Sequence, residues 1–245
     1  MKSANERGIK ISVIFLGKNK PFVIKALEFL IENGVTVNAI ISEPEHSSMS
    51  SKNDLIKTAK EFEIVHMTKS ELERILEKNQ VENKIFNNVD LVISYLYPKK
   101  IDVKLIELPK IGCINFHPAP LPEFRGVSPY CFGILEDFPY WGVTAHFIDK
   151  EFDAGDIIKV KKFDVNLKME TSLSLEQKSQ IYLFDLFKEI TKMFLENKQL
   201  PREKQNKGRY FSYKEFEKLR EIKENDSIET INKKIRAFWY PPFPG

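Results

Sequence analysis

Residues 9–41 constrain the fold more tightly than any other stretch of the chain. Residues 9–16 read IKISVIFL, an apolar and β-branched run ending at Gly17, which is the composition of a buried strand. Lys18-Asn19-Lys20-Pro21 leads into residues 22–33, where Ile24, Leu27, Leu30 and Ile31 share one helical face. Gly34 suits the position just past a helix end, and residues 35–41 read as a second strand. A strand, a helix and a strand joined by turns this short form a βαβ unit, whose strands lie parallel. The first turn holds one glycine and no GxGxxG pattern, which argues against a dinucleotide coenzyme.

The remaining chain repeats this alternation. Helices are expected over residues 52–62 and 70–78, with a polar, serine-rich loop at 43–51 and a short strand at 64–67. Residues 90–96 form a strand that ends in Tyr97-Pro98, and a short helical stretch follows towards Leu108-Pro109. Residues 128–137 read as a helix with Pro129 in its first turn. Strands at 141–148 and 157–163 pair across the acidic loop 149–156. Residues 170–197 carry the longest helical pattern, with Leu173, Leu175, Ile181, Leu183, Phe184, Leu186, Phe187, Ile190 and Phe194 at largely helical spacing. Pro201, Gly208 and the basic residues Lys198, Arg202, Lys204, Lys207 and Arg209 mark a change of composition. Two short helices are expected after it, at 211–224 and 228–238. The pattern predicts an α/β protein with a main domain over residues 1–200, a short C-terminal helical extension over 201–245, and a loose polar start at 1–8.

Lys and Arg number 38 against 35 Asp and Glu, a net charge of +3 in 245 residues. So small an excess does not argue for a nucleic-acid partner. The two cysteines, Cys113 and Cys131, have neither pairing nor metal-ligand spacing, so both are expected as buried free thiols of a reducing cytoplasm. No charged-then-apolar leader opens the chain and no run approaches the roughly 18 apolar residues of a membrane span. The expectation is a soluble, cytoplasmic protein that does not enter a membrane.

The chemistry concentrates in residues 113–126, CINFHPAPLPEFRG. An apolar strand runs into a turn with prolines at 118, 120 and 122, closed by Gly126, through which no regular element continues. Asn115 and His117 are two apart, so a strand sends both side chains to one face, at the mouth of a sheet where open α/β folds place their sites. A second polar signal, Phe152-Asp153-Ala154-Gly155-Asp156, follows one helix and one strand later. Taken singly, each has a plain structural reading: Asn115 a turn former, His117 a satisfied buried imidazole, the acidic loop a turn. Glu151 and Asp153 as a glycosidic acid/base pair would leave Asn115 and His117 unused. Asp149, Asp153 and Asp156 with His117 lack metal-ligand spacing, so no metal site is expected. His46 and His66 have no motif around them, and His146 suits a structural place on its strand as well as a place beside the site.

Taken together, these motifs resemble the formyltransferases that use 10-formyltetrahydrofolate. The resemblance rests on Asn115-Phe116-His117-Pro118, on Leu121-Pro122 followed by Arg125-Gly126, and on Gly142-Val143-Thr144-Ala145-His146-Phe147 running into the loop of Asp153. It spans residues 10 to 165 in order and implies a Rossmann-like core with a mostly parallel twisted sheet flanked by helices. Formyl transfer to an amine passes through a tetrahedral oxyanion, and needs a donor aimed at that oxygen, a proton shuttle and a group that fixes the shuttle. The resemblance gives these roles to the Asn115 amide, the His117 imidazole and the Asp153 carboxylate. It implies that Leu96, Tyr97, Asp149, Phe152 and Asp156 contact the folate donor, and that Arg125 and Gly126 face the acceptor. Lys18 and Lys20, beside a helix N-terminus, suit an anionic substrate or are ordinary loop lysines.

Residues 235–245, IRAFWYPPFPG, resemble a segment of the sugar N-formyltransferases. Arg236 suits a pyrophosphate and Trp239 or Tyr240 a stacked base or sugar; the alternative is an apolar tail that closes the core or a dimer interface. Methionyl-tRNA formyltransferases add a basic, β-rich domain, and glycinamide ribonucleotide transformylases carry a glycine-containing ribose-phosphate loop that Gly17-Lys18-Asn19-Lys20 does not resemble. The implied acceptor is therefore a nucleotide-linked amino deoxysugar, with dTDP-4-amino-4,6-dideoxyglucose first, used in O-antigen or other surface polysaccharide synthesis. The sugar-modifying relatives imply a homodimer. Two rivals stand beside this reading: a formyltransferase for another amine, and a non-catalytic folate- or nucleotide-binding module.

Overall fold

The structure is a computed structural model that describes residues 10–44, 54–78 and 84–241. The expected loose start, Ile9, residues 45–53 with His46, and the last four residues lie outside the described residues. The chain divides into two compact units, Met1–Asn115 with Phe187–Leu200 and Phe116–Leu186 with Pro201–Gly245. Residues 201–245, expected as an appendage, thus group with the second unit.

The βαβ unit opens the first. β1 (Ser12–Gly17), α1 (Pro21–Glu32) and β2 (Thr36–Ile41) follow in order, and β1 pairs parallel with β2. Pro21 sits in the first turn of α1, where the missing N–H has no partner to lose. The helix ends at Gly34, whose φ of 78° places it in the left-handed region. Its apolar stripe (Val23, Ile24, Ala26, Leu27 and Leu30) is buried. Gly17 makes the tight entry possible, because a Cβ there would lie 2.5 Å from Val23 Cγ1. The unit continues through α2 (Leu55–Glu61), β3 (Val65–Met67), α3 (Lys69–Glu77), β4 (Leu91–Tyr95) and α4 (Val103–Glu107). β3 pairs parallel with β2, and β4 pairs parallel with β1 on its other side. Buried on both faces, β1 and β4 need the unbroken apolar runs that the sequence shows.

β5 (Gly112–His117) carries the chain from the first unit into the second. There follow β6 (Arg125–Gly126), α5 (Pro129–Leu135), β7 (Trp141–Phe147), β8 (Ile157–Phe163), α6 (Ser172–Leu195), β9 (Tyr210–Phe211), α7 (Tyr213–Arg220) and α8 (Ile228–Phe238). The main sheet has seven strands in the order β3-β2-β1-β4-β5-β7-β8. β7 and β8 form the expected pair and run antiparallel.

Three expectations shift. The helix expected from residue 211 begins at Tyr213, because Tyr210–Phe211 is drawn into a parallel strand pair with Arg125–Gly126. Phe211 is buried there between Phe124 and Phe132, with ring centroids 5.5 and 4.0 Å away. Such a non-local pairing leaves no trace in helical periodicity. Ile181, counted on the apolar face of α6, is 53% exposed; it lies two residues from Leu183, roughly 200° around the helix. Most of the remaining helix and strand ends fall within three residues of their expected limits, with β8 and α8 on theirs and α7 ending four residues early; capping decides such ends, as where Asp54 caps α2 by accepting from Ile56 N. Among the described residues no helix is long and apolar enough to cross a membrane.

Trp141 is fully buried, and its indole N–H donates to Ser179 Oγ at 2.9 Å. A Cβ on Gly133 of α5 would lie 2.2 Å from its ring. Alanine in a helix ordinarily stabilises over glycine by about 1 kcal/mol, but here the ring has no space to yield. Gly133→Ala is expected to lower the unfolding free energy by about 1–3 kcal/mol, measured by urea denaturation; a stabilised variant would contradict this packing.

Candidate active site

Asn115 and His117 lie at the C-terminal end of β5, and the pleat sends both to one face. Asn115 Oδ1 accepts a hydrogen bond of 2.8 Å from Ser94 Oγ on β4, a hydroxyl that is itself buried. That contact turns the amide oxygen towards β4 and the NH2 end away from it.

His117 is 5% exposed. Its Nε2 lies 2.8 Å from Phe124 O and its Nδ1 3.7 Å from Asp153 Oδ1. His146, buried on β7, has Nδ1 2.7 Å from Phe147 O and Nε2 3.5 Å from the same carboxylate oxygen. A carbonyl only accepts, so in neutral His117 the proton sits on the carbonyl side and the bare nitrogen faces Asp153. A proton taken up by His117 would land against that carboxylate, to which His146 is hydrogen-bonded.

Asp153 stands at φ 51°, a left-handed conformation that aspartate tolerates better than most residues. Gly126 N donates to its Oδ2 at 2.9 Å. Burial works to raise the Asp153 pKa, but the charge of His117, the hydrogen bond and charge of His146 and the Gly126 N–H outweigh it. The carboxyl is held well below the usual carboxylate range and stays ionised. Burial lowers the His117 pKa, Asp153 pulls it up and His146 pushes it down, with a net shift below its ordinary value. That direction favours the neutral ring of His117 beside the Asp153 carboxylate.

The other expected residues fall into groups. In the first unit, Leu96 and Tyr97 follow β4. Leu96 has φ 55°, a costly conformation for a bulky residue that signals a held loop. The Tyr97 hydroxyl is buried with no hydrogen-bond partner, and burial pushes its pKa upward. Lys18 is exposed before α1; Lys20 is its N-cap residue, whose carbonyl accepts from Val23 N and Ile24 N.

In the second unit, Gly126 is bonded to Asp153 directly. The Arg125 guanidinium donates from Nε and Nη2 to Gln205 Oε1 at 3.0 and 2.8 Å, and from Nη2 to Asn206 O at 3.0 Å. Asp149 and Phe152 are exposed on the acidic loop, and Asp156 lies 3.9 Å from Arg202 Nη1. The terminal residues gather around the start of α6. Arg236 Nη1 donates to Leu167 O at 2.8 Å and Glu170 O at 2.9 Å, and Tyr240 Oη donates to Glu176 Oε2. Trp239 is 42% exposed. Arg236 thus spends one nitrogen on backbone carbonyls. Among the described residues no cluster of three or more His, Cys, Asp or Glu could hold a metal ion.

Sequence reasoning missed Ser94 and Gln205 and left His146 undecided. A serine inside a strand and a glutamine in a basic loop carry no local signal. His146 carried one, since a histidine on a strand two residues after Thr144 shares a face with it. Thr144 Oγ1 accepts from Leu121 N and donates to Ala119 O, so that face meets the proline-rich turn.

The pKa shift of His117 makes a stability prediction. The unfolded chain binds a proton at His117 near the ordinary histidine value of 6.5 and the folded chain binds it at lower pH. Its contribution is complete above that value and is lost as pH falls below it. The slope it adds approaches about 1.4 kcal/mol per pH unit. His117→Gln is expected to flatten the fall in unfolding free energy between pH 6.5 and 5, followed by urea melts; equal slopes in both proteins would contradict the lowered pKa.

Comparisons with known proteins bear on the family of this chain. The formyl transferase family model matches residues 10–182. The methionyl-tRNA formyltransferase of Lachnospira eligens is 31% identical over 164 residues, which cover 66% of this chain and 51% of that protein, so the chain spans about half of that relative's length. The 4-N formyltransferase of Francisella tularensis is 25% identical with a TM-score of 0.73, covering 94% of this chain and 89% of that one. The N-formyltransferase of Helicobacter canadensis, solved with folinic acid and dTDP-3-aminofucose, is also 25% identical, with a TM-score of 0.75 and coverage of 94% and 81%. The matched span takes in both the strand of Asn115 and His117 and the loop of Asp153, and on that match this chain belongs to the formyl transferase family.

Proposed function

We propose that this protein transfers the formyl group of 10-formyltetrahydrofolate to the amino group of a nucleotide-linked amino deoxysugar, with a dTDP-linked 4-amino-4,6-dideoxy sugar as first choice. The observation that carries the reading is the Helicobacter canadensis enzyme, solved with folinic acid and dTDP-3-aminofucose and aligned over 94% of this chain. The acceptor of the second reading, methionyl-tRNA, is favoured by the Lachnospira eligens relative, whose match covers 66% of this chain. The small net charge of +3 gives little electrostatic support to a tRNA partner.

The donor supplies an activated formyl carbon when bound. The orphan hydroxyl of Tyr97 and the held backbone of Leu96 fit a loop that receives a polar heterocycle; Asp149, Phe152 and Asp156 are separate candidates for donor contacts. Asn115 directs its NH2 at the formyl oxygen and stabilises the negative charge that develops there. His117 would take the proton released by the attacking amine and return it to the folate nitrogen as its bond to the formyl carbon breaks, with Asp153 stabilising the imidazolium between the two transfers. Arg125, Gly126, Lys18, Lys20, Arg236, Trp239 and Tyr240 are the candidates for acceptor contacts. A cytoplasmic, dimeric enzyme feeding surface polysaccharide synthesis follows from the same reading.

A mass-spectrometric assay with 10-formyltetrahydrofolate and a panel of dTDP-, UDP- and GDP-linked 3-amino and 4-amino sugars, with methionyl-tRNA included, tests the acceptor. One formyl mass gained by a single amino sugar is the expected result; formylation of methionyl-tRNA alone would sink the sugar reading. In the same assay His117→Ala is expected to lower kcat by about 10²–10⁴-fold and Asn115→Ala by about 10²–10³-fold. Both should keep nucleotide-sugar affinity within about 1 kcal/mol, and a fully active His117→Ala protein would remove His117 from the mechanism.

A further inference from the structure

Asp153 sits in a conformation that the local chain does not itself enforce. At φ 51° it needs outside contacts to persist, and in that conformation one carboxylate oxygen lies 3.7 Å from His117 Nδ1 and 3.5 Å from His146 Nε2. Gly126 N holds the other oxygen. The backbone of the loop is held by a residue far along the chain. Gln205 Nε2 donates to Asp153 O at 2.9 Å and to Gly155 O at 2.6 Å, while its Oε1 accepts from Arg125 Nε and Nη2.

This amide uses its full capacity, two N–H donors and two acceptor sites. Its orientation follows from its partners, since carbonyls require the NH2 end and a guanidinium requires the oxygen. The segment that presents it is itself anchored on both sides. Glu203 exchanges N–H···O bonds with Ile157 at the start of β8, and β9 pairs with β6. The loop has no slack opposite Gln205 either, because a Cβ on Gly155 would lie 2.0 Å from Phe147 O.

We propose that Gln205 is a positioning residue: it clamps the backbone at Asp153 and Gly155 against Arg125, and so aims the Asp153 carboxylate at His117 and His146. Gln205 touches neither imidazole and acts on the reaction through Asp153. The activity arm of the test rests on the function proposed above, so the test also has an arm that does not.

Gln205→Glu is the diagnostic variant. It keeps the side chain's size and its partner Arg125, and turns an oxygen towards two carbonyl oxygens. Under the proposal the folded variant loses about 10²-fold in kcat with KM for donor and acceptor within about twofold, as expected when an interaction made only in the transition state is lost. The imidazole ¹⁵N shifts of His117 and His146 should move as the carboxylate leaves them. An unchanged kcat, a loss confined to KM, or unchanged imidazole shifts in folded Gln205→Glu would overturn the proposal. A parent protein that transfers no formyl group, but whose imidazole shifts still move in the variant, would leave Gln205 in its role and remove the formyl-transfer reading. If the variant does not fold, solvent exchange of the Gln205 side-chain amide in the parent decides: slow exchange supports the clamp and rapid exchange overturns it.

Discussion

One ionised carboxylate, Asp153, placed between two buried imidazoles, is the interaction on which the site of this protein depends. Taking such a charge out of water costs several kcal/mol unless it is paired and hydrogen-bonded. Here a backbone N–H from Gly126 meets one oxygen and two ring nitrogens face the other. Neutral His117 spends its N–H on the Phe124 carbonyl, so a proton that it takes up arrives against the carboxylate and is stabilised there.

That carboxylate is held by parts that have no other evident reason to meet. β6 and β9 form a two-stranded sheet apart from the main one. It requires glycine at 126, where a Cβ would lie 2.3 Å from Phe211 O, in a backbone with φ 98°. The same glycine then turns its N–H to Asp153. Packing and chemistry share one residue: Gly126 is small because β9 runs over it, and its amide is directed because β6 is so held. The aromatic cluster of Phe124, Phe132, Trp141 and Phe211 provides the apolar support behind this strand pair.

Much of the fold was legible from periodicity. The βαβ unit, the strand pair of β7 and β8, and the long helix α6 appear where the apolar pattern put them. Helix ends followed capping chemistry; the Thr68 and Glu71 capping box starts α3 at Lys69, one residue before the limit that periodicity gave. The two-residue strands were not legible, because two residues carry no period. The grouping of Asn115 and His117 on one strand face was legible from their spacing of two. The partners Ser94 and Gln205 were not, because neither residue type announces which hydrogen bond it will make.

The sequence by itself determined the kind of fold and the supply of chemical groups: a parallel α/β sheet, and an amide, an imidazole and a carboxylate in order along it. These follow from interactions between residues near in the chain, where spacing translates directly into a face or a turn. Only the tertiary structure decided which end of the Asn115 amide meets Ser94, which nitrogen of neutral His117 keeps its proton, and where the Asp153 carboxylate points. Those choices are made by single hydrogen bonds from residues 21, 27 and 52 positions away in sequence, from Ser94 to Asn115, Gly126 to Asp153 and Gln205 to Asp153. A hydrogen bond is directional and falls off within an ångström, so its existence depends on the final packing and not on any pattern the chain carries locally.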